Sequence, residues 1–156
     1  MARDNPYGAF NFKVRFGPTN TGGPIDAGFS DVSGIGSEVN YSEYRNGSDA
    51  SNTVRKIPNT FKTDEVTLKR GLVGSTDIFA WFKATRDGQY LPRTVTITVL
   101  DEARAAVLTL TLSQAQPKKW VGPTLAAKGG GEVALEELHL VHEGIEYAPA
   151  PSGGAT

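Results

Sequence analysis

The sequence predicts a mainly β protein, a single domain of antiparallel strands with one α-helix. Apolar and polar residues alternate over several short stretches, most clearly at residues 94–100 and 107–113, which is typical of strands with one buried and one wet face. A single stretch, from about residue 75 to residue 88, carries apolar residues at helical spacing. The 18 glycines and 9 prolines among 156 residues suit a chain of strands and turns.

The first strand is predicted at residues 7–16, where Phe10, Phe12, Val14 and Phe16 alternate with polar or charged residues. The dipeptide Gly17-Pro18 ends it. Further strands are predicted at residues 25–32, 38–44, 62–70 and about 132–143.

The strongest pattern is a hairpin whose two strands, residues 94–100 and 107–113, each present one apolar and one hydroxyl-rich face. The apolar side chains are Val95, Ile97, Val99, Leu108, Leu110 and Leu112. The opposite face carries Thr94, Thr96, Thr98, Thr109, Thr111 and Ser113. We call these six residues the hydroxyl face.

The helix is predicted to begin near Asp77, which suits the positive end of the helix dipole, with Ser75 or Thr76 as its cap. Gly88 is placed where a left-handed residue would end it. Its apolar stripe consists of Ile78, Phe79 and Phe82, with Trp81 beside it.

Two long connections are predicted, at residues 45–58 and 116–131. The first is polar and nearly devoid of core residues, and the second contains Trp120 and the run 129–131 of three glycines. Connections of this length are usually functional or disordered.

The composition excludes several classes of protein. Sixteen basic and 17 acidic residues leave a net charge of −1, which excludes a uniformly basic nucleic-acid surface. The absence of cysteine excludes disulfides, thiolate metal sites and a cysteine nucleophile. The first residues lack the apolar core of a signal peptide, and no apolar run is long enough to cross a bilayer.

No group of residues predicts catalysis. His139 and His142 are three apart in a strand, so alternation places them on opposite faces, where they cannot share a metal ion. The carboxylates Glu136, Glu137 and Glu143 define no cleft, and the glycines at 129–131 lack the lysine and helix of a phosphate loop. We therefore predict no catalytic, cofactor-binding or metal-binding residue, no cofactor, and a protein whose partners are proteins.

The chain resembles the tail tube proteins of contractile-tailed phages and of the related extracellular contractile injection systems. The most specific similar segments are residues 117–123 (PKKWVGP) and 136–144 (EELHLVHEG). Residues 28–34 also resemble the family's F-x-x-V-x-G stretch. Residues 132–134 (EVA), between the two most specific segments, belong to the same specific C-terminal part. Weaker similar segments are residues 5–14, 43–47, 56–59 and 66–71.

The resemblance implies two packed antiparallel sheets (a β-sandwich or barrel-like fold) with one flanking helix, in a tail-tube domain of residues 1–147 followed by a flexible tail of residues 148–156. It implies a structural subunit, not an enzyme. Six copies would join their strands into a hexameric ring barrel, and rings would stack into a tube. Ring closure would also pair sheet edges that are otherwise an aggregation hazard.

The implied partners are further copies of the chain, a sheath protein, baseplate and terminator proteins, and a cargo of DNA or effector proteins in the lumen. Neither membrane insertion nor sequence-specific nucleic-acid binding is implied. Synthesis and assembly would take place in the cytoplasm, with release as part of the particle. The hydroxyl face would line the lumen. The subunit-interface candidates are Arg45, Asn46, Ser48, Asp49, Asn52, Lys118, Lys119 and Trp120.

Three alternatives remain at this stage. One is a tube-initiator or baseplate-adaptor paralogue of the same fold. The second is a monomeric β-barrel that binds a small ligand, which predicts an apolar pocket. The third is an enzyme, for which the sequence offers no candidate residues. Lys118, Lys119 and Trp120 could also stack and neutralise single-stranded nucleic acid, but a loop that holds Trp120 against a neighbouring surface fits a neutral protein better.

Overall fold

The computed structural model describes residues 11–20, 22–45, 47, 54–72, 75–125, 127 and 134–150. These residues form ten strands and one helix, which confirms the prediction of a mainly β fold with one flanking helix. In chain order the elements are β1 Phe12–Phe16, β2 Ile25–Ala27, β3 Asp31–Ser33, β4 Ser37–Tyr44, β5 Arg55–Thr63, β6 Val66–Gly71, α1 Asp77–Arg86, β7 Arg93–Leu100, β8 Ala106–Val121, β9 Leu135–Val141 and β10 Gly144–Pro149.

Eight of these strands form two antiparallel sheets that share β8, as expected from the resemblance, and β4 and β5 form a separate two-stranded hairpin. The first sheet contains β2, β1, β7, the first half of β8 and then β10; the second contains the other half of β8, β9, β6 and β3. Gln114 has a φ of 50° and lies between the two halves of β8. A residue in this left-handed region bends the strand, so that one chain segment passes from one sheet to the other.

The core lies between the two sheets and under the helix. Its largest fully buried side chains include Phe16 and Val95 from the first sheet and Leu68 and Leu138 from the second. Helix α1 buries Ile78 and Trp81, and the rings of Trp81 and Phe16 are 5.4 Å apart. Of the predicted stripe, Ile78 is buried and Phe79 and Phe82 are partly buried, whereas Trp81, predicted beside the stripe, lies in the core.

The predicted hairpin of β7 and β8 is confirmed, together with its two faces. Val95, Ile97 and Leu112 are buried. On the opposite face, Thr96 lies opposite Thr111, and Thr98 lies opposite Thr109. The hydroxyl face is therefore a continuous surface of cross-strand threonine pairs that takes no part in the core.

Two predicted loops are wrong in part, because long-range pairing extends the strands into them. Residues 55–58 belong to β5, and residues 116–121 belong to β8. Each extension contains a proline, which weakens the local strand pattern. The register shifts beside Pro58 and beside Pro117, and bulges are where a strand accommodates a residue without a backbone N–H.

Three predicted strands differ from the observed ones. Residues 25–32 split into β2, which pairs with β1, and β3, which pairs with β6 in the other sheet. Residues 62–70 divide between the end of β5 and β6, and residues 135–141 form β9 within the predicted last strand. These breaks are set by the sheet that each segment joins, which local alternation does not encode.

The ends of helix α1 agree with the prediction in part. Gly88 has a φ of +106°, as expected for a left-handed end. The N-cap residue Thr76, which precedes the helix, makes no side-chain capping hydrogen bond. The Asp77 carboxylate accepts one from the backbone N–H of Ile78 instead.

Strand β10 runs to Pro149, two residues into the segment predicted as a flexible tail. Ala148 pairs with Thr109 and Pro149 with Leu108, and the N–H of Ala150 donates to the carbonyl of Val107. Backbone pairing thus continues past residue 147. The remaining tail, residues 151–156, lies outside the described residues, and the division into domain and tail stays a prediction.

Candidate assembly interface

The hairpin of β4 and β5 is the most exposed element of the described chain. Every residue of β4 is exposed, and so is every residue of β5 except Thr63. The two strands pair only with each other. A two-stranded hairpin has marginal stability in water without a surface to pack against. This element is therefore a candidate for packing against another chain.

One side of this hairpin is apolar. Val39 lies opposite Phe61 and Tyr41 lies opposite Pro58, and the alternation of β4 places Val39 and Tyr41 on the same side. Val39 is 48% exposed, Tyr41 57% and Phe61 59%. We call these four residues the apolar face of the hairpin. Beyond Tyr41 the same side ends in a salt bridge of 2.6 Å between Lys56 and Glu43.

The other side of the hairpin is mostly polar and satisfies its own hydrogen bonds. Its side-chain pairs are Glu38–Lys62 at 3.3 Å, Asn40–Thr60 at 3.2 Å and Ser42–Asn59 at 3.0 Å. Ile57 and Tyr44 also lie on this side and are 46% and 50% exposed. The two sides therefore differ in chemistry, although both are open to solvent.

The hairpin is joined to the second sheet at a tight junction. Gly34 has a φ of +83°, and a Cβ there would lie 2.2 Å from the carbonyl oxygen of Glu65. The N–H of Asp64 donates to the carbonyl of Gly36, and the Thr63 hydroxyl donates to the carbonyl of His142. These contacts set the direction in which the hairpin leaves the sandwich.

Charged side chains flank the hydroxyl face on both sides. Lys13 and Arg15 of β1 lie opposite Thr98 and Thr96, and Glu146 of β10 lies opposite Thr111. All three charged residues are exposed. The surface of the first sheet away from the core is therefore rich in hydroxyls and carries both signs of charge.

The predicted interface residues are only partly described. Arg45 follows β4 directly and is exposed, whereas Asn46, Ser48, Asp49 and Asn52 lie outside the described residues. The structure therefore places one of these five residues, at the end of the hairpin away from the sandwich.

The predicted cluster at residues 118–120 is divided between the surface and the interior. Lys118 and Lys119 are exposed, and Lys118 forms a salt bridge with Glu65. Trp120 packs within its own chain, with its ring 4.8 Å from that of Phe79, and its indole N–H donates to Glu136. Trp120 is partly buried within its own chain, and its place in an interface stays a prediction.

Glu65 and His139 belong to a hydrogen-bonded network on the outer surface of the second sheet. Glu65 Oε1 lies 2.7 Å from His139 Nδ1, and His139 Nε2 lies 3.2 Å from Glu137. Hydrogen bonds from Lys118 and then His139 hold the pKa of Glu65 below its ordinary value. The network links β9 to residues on either side of it.

A second ionic cluster is buried and holds the helix to the second sheet. Arg70, 3% exposed, donates to Glu136 and to Asp77. Burial alone would raise the pKa of Asp77, but hydrogen bonds from Arg70, the N–H of Ile78 and Ser75 outweigh it, so the pKa lies below its ordinary value. Sequence reasoning missed Arg70, whose signal was a charge at a core position of β6.

His139 and His142 lie on opposite faces, as predicted. His142 is 8% exposed and its ring nitrogens lie within 3.2 Å of the carbonyls of Gly144 and Asp64. Glu136 is held by Arg70 and Trp120. Within the described residues, no group of three or more histidine, aspartate or glutamate side chains is placed to hold a metal ion. No helix in the same residues is long and apolar enough to span a membrane.

The fold is similar to several solved structures. A chain of the anti-feeding prophage (AFP) baseplate has 24% identity and a TM-score of 0.79, over 93% of this chain and 97% of that chain. A chain of the PVC extracellular contractile injection system, in its sheath–tube complex in the extended state, has 22% identity and a TM-score of 0.77, over 94% of each chain. Hcp1 from Flavobacterium johnsoniae has 12% identity and a TM-score of 0.54, over 87% of this chain and 93% of its own.

A search of the curated proteins found no match. A family model, described as the T4-like virus tail tube protein gp19, matches residues 8–146. This match covers most of the chain and confirms the resemblance inferred from its segments. The family is one of structural tail proteins, so the expectation that the chain is not an enzyme is also confirmed. The chain belongs to the T4-like virus tail tube protein gp19 family.

Proposed function

We propose that this chain is the subunit of the inner tube of a contractile, phage-tail-like injection particle, with six copies in each ring and rings stacked into a tube. The observation that carries the proposal is the exposed hairpin of β4 and β5, whose apolar face, including Val39 and Phe61, is half open to solvent in one chain. Exposed apolar surface of this kind marks a protein–protein contact.

The edges of the first sheet support ring formation. In the described part of the chain, β2 and β10 are its outer strands, and each pairs with a single neighbouring strand. An open strand edge is a template for pairing with another chain, and a closed ring of subunits satisfies it. Strands β2 and β10 of adjacent subunits are the edges that would meet.

The hydroxyl face supports a position at the lumen. It lies on the side of the first sheet away from the core and is bordered by Lys13, Arg15 and Glu146. A surface of threonines bordered by residues of both charges stays hydrated. It has no net charge that would bind a strongly charged cargo tightly. Such a wall suits the passage of DNA or effector proteins.

The remaining partners follow from this role. A sheath protein would surround the tube, and baseplate and terminator proteins would cap its ends. The solved structures of similar fold come from a baseplate and a sheath–tube complex. Synthesis and assembly would take place in the cytoplasm, before release with the particle. Arg45 and the polar residues after it would add contacts between subunits or rings.

The second candidate is a tube-initiator or baseplate-adaptor paralogue, favoured by the similarity to a chain of the AFP baseplate. Electron microscopy of the purified protein, alone and with its sheath protein, tests both. Long tubes of uniform diameter support the main proposal. Single or short stacked rings support the paralogue. A chain that stays monomeric at high concentration under both conditions contradicts both.

A further inference from the structure

A groove opens between the first sheet and β3. Its volume is about 430 Å³, and its apolar lining consists of Phe12, Val32, Ile35, Ile97, Val99 and Leu110. All but Ile97 are only partly buried. The volume lies in the range of roughly 300–1,000 Å³ that is typical of clefts that bind a ligand. The groove can therefore accept more than one large apolar side chain.

The chain's own hairpin does not fill this groove. Ile35 lines it, and β4 begins two residues later at Ser37, yet no residue of β4 or β5 contributes to the lining. Val39, Tyr41 and Phe61 remain about half exposed. One chain thus carries two apolar surfaces, a projecting hairpin and a concave groove, that do not meet each other.

We infer that the apolar face of the hairpin of one subunit packs into the groove of a second copy of this chain. A ring with rotational symmetry requires a heterologous contact, in which two different surfaces of the same chain meet. The hairpin and the groove are such a pair. This inference rests on the proposed tube function and adds a second contact between copies to the proposed pairing of β2 with β10.

Charge and interface anatomy agree with this pairing. The groove is also lined by Asp31 and Lys69, and the apolar face of the hairpin is bordered by Glu43 and Lys56. Each surface therefore has one acidic and one basic residue around an apolar centre. When the two surfaces meet, neither carries a net charge that would repel the other. Apolar centres with polar rims are the usual anatomy of protein interfaces.

The pairing also assigns different roles to the two sides of the hairpin. Phe61 enters the groove, whereas the hydrogen-bonded pairs around Asn40 and Ser42 stay outside it. Ile57 lies on this outer side and is exposed to a similar extent as Phe61. It is therefore a matched control for Phe61.

Cysteine cross-linking tests the inference, because the natural chain contains no cysteine. A mixture of Val39→Cys and Val99→Cys proteins is assembled and oxidised, so that any mixed disulfide joins two copies. Val39 lies directly opposite Phe61 on the apolar face, and both changes are of similar side-chain size and leave Phe61 in place. The control mixture contains Ile57→Cys and Val99→Cys. We expect a mixed dimer in the first mixture and at least about tenfold less in the control, because a disulfide requires Cβ atoms within about 4.5 Å.

Binding of the apolar dye ANS provides a second readout on the wild-type protein. The groove should bind ANS in the monomer and lose it on assembly. This inference alone is overturned if tubes form without the mixed dimer or if both mixtures cross-link equally. It is also overturned if tubes form and ANS binding does not fall. The last result would leave the groove open to a small ligand. Failure of the wild-type chain to form rings or tubes overturns the proposed function and this inference together.

Discussion

Val39 lies directly opposite Phe61 across β4 and β5, and the two side chains are 48% and 59% exposed. Replacement of Phe61 by serine removes the largest apolar side chain of this pair. We expect Phe61→Ser to fold with a stability within about 0.5 kcal/mol of the wild type, as is usual at exposed positions, and to lose ring or tube formation. Sedimentation velocity and electron microscopy measure assembly, and urea unfolding measures stability.

Ile57→Ser is the control for this prediction, since Ile57 is a similarly exposed residue on the opposite side of the same hairpin. It should assemble like the wild type. Equal loss of assembly in both variants would mean that the hairpin acts without a preferred face.

The buried Arg70 pairs with Glu136 of the neighbouring strand in the second sheet and with Asp77 of helix α1. Arg70→Met leaves the Glu136 carboxylate buried without its main partner, which should cost about 3–5 kcal/mol of unfolding free energy. Lys69→Met, at the next residue, removes only a partly exposed salt bridge with Glu137 and should cost no more than about 1 kcal/mol. Urea denaturation of both variants checks this, and similar costs would contradict it.

Gly34 is required at the base of the hairpin. An added Cβ would lie 2.2 Å from the Glu65 carbonyl, at a φ of +83°, so Gly34→Ala should lose at least about 1–3 kcal/mol through backbone strain alone. At Gly28, an added Cβ meets nothing within 4 Å, and Gly28→Ala should change stability by less than about 1 kcal/mol. Thermal unfolding compares the two variants. Equal midpoints would show that the junction relaxes without cost.

The network around Glu65 predicts how stability depends on pH. Because Lys118 and His139 hold the pKa of Glu65 below its ordinary value in the folded chain, the carboxylate stabilises the fold above the unfolded pKa of about 4.3. That contribution is lost as the pH falls through the lowered folded value. We expect the difference in unfolding midpoint between wild type and Glu65→Gln to shrink as the pH falls from 7 to 3. A constant difference would contradict this role.

A lumen position for the hydroxyl face predicts a change in reactivity on assembly. Thr98→Cys introduces the sole thiol of the chain at a partly exposed position of β7. A small maleimide should label it in monomers and along the whole tube, while a maleimide on a polymer too large for the lumen should label it in monomers and be excluded from long tubes. Gel-shift assays measure both. Complete labelling of long tubes by the polymer reagent would place Thr98 on the outside.

Local patterns in the sequence were sufficient to predict the strands with clear alternation and the helix with a clear apolar stripe. The hairpin of β7 and β8 was predicted because Val95, Ile97 and Leu112 mark a buried face by spacing alone. Helix α1 was predicted from the stripe of Ile78, Phe79 and Phe82 with Trp81 beside it, and the structure buries Ile78 and Trp81. The family could be recognised because residues 117–123 and 136–144 hold similar segments in similar order. These features depend on neighbours that are close in the chain.

The tertiary structure decided what depends on partners far along the chain. Residues 55–58 and 116–121 form strands because β4 and β9 pair with them. The Trp120 ring packs within its own chain because it contacts Phe79 and donates a hydrogen bond to Glu136. The apolar groove between β3 and the first sheet likewise arises only when the two sheets pack. The sequence by itself determined the class of fold, the family and the hydroxyl face. The exposed hairpin with two unlike sides required the structure, because long-range pairing sets which side of a strand faces the core.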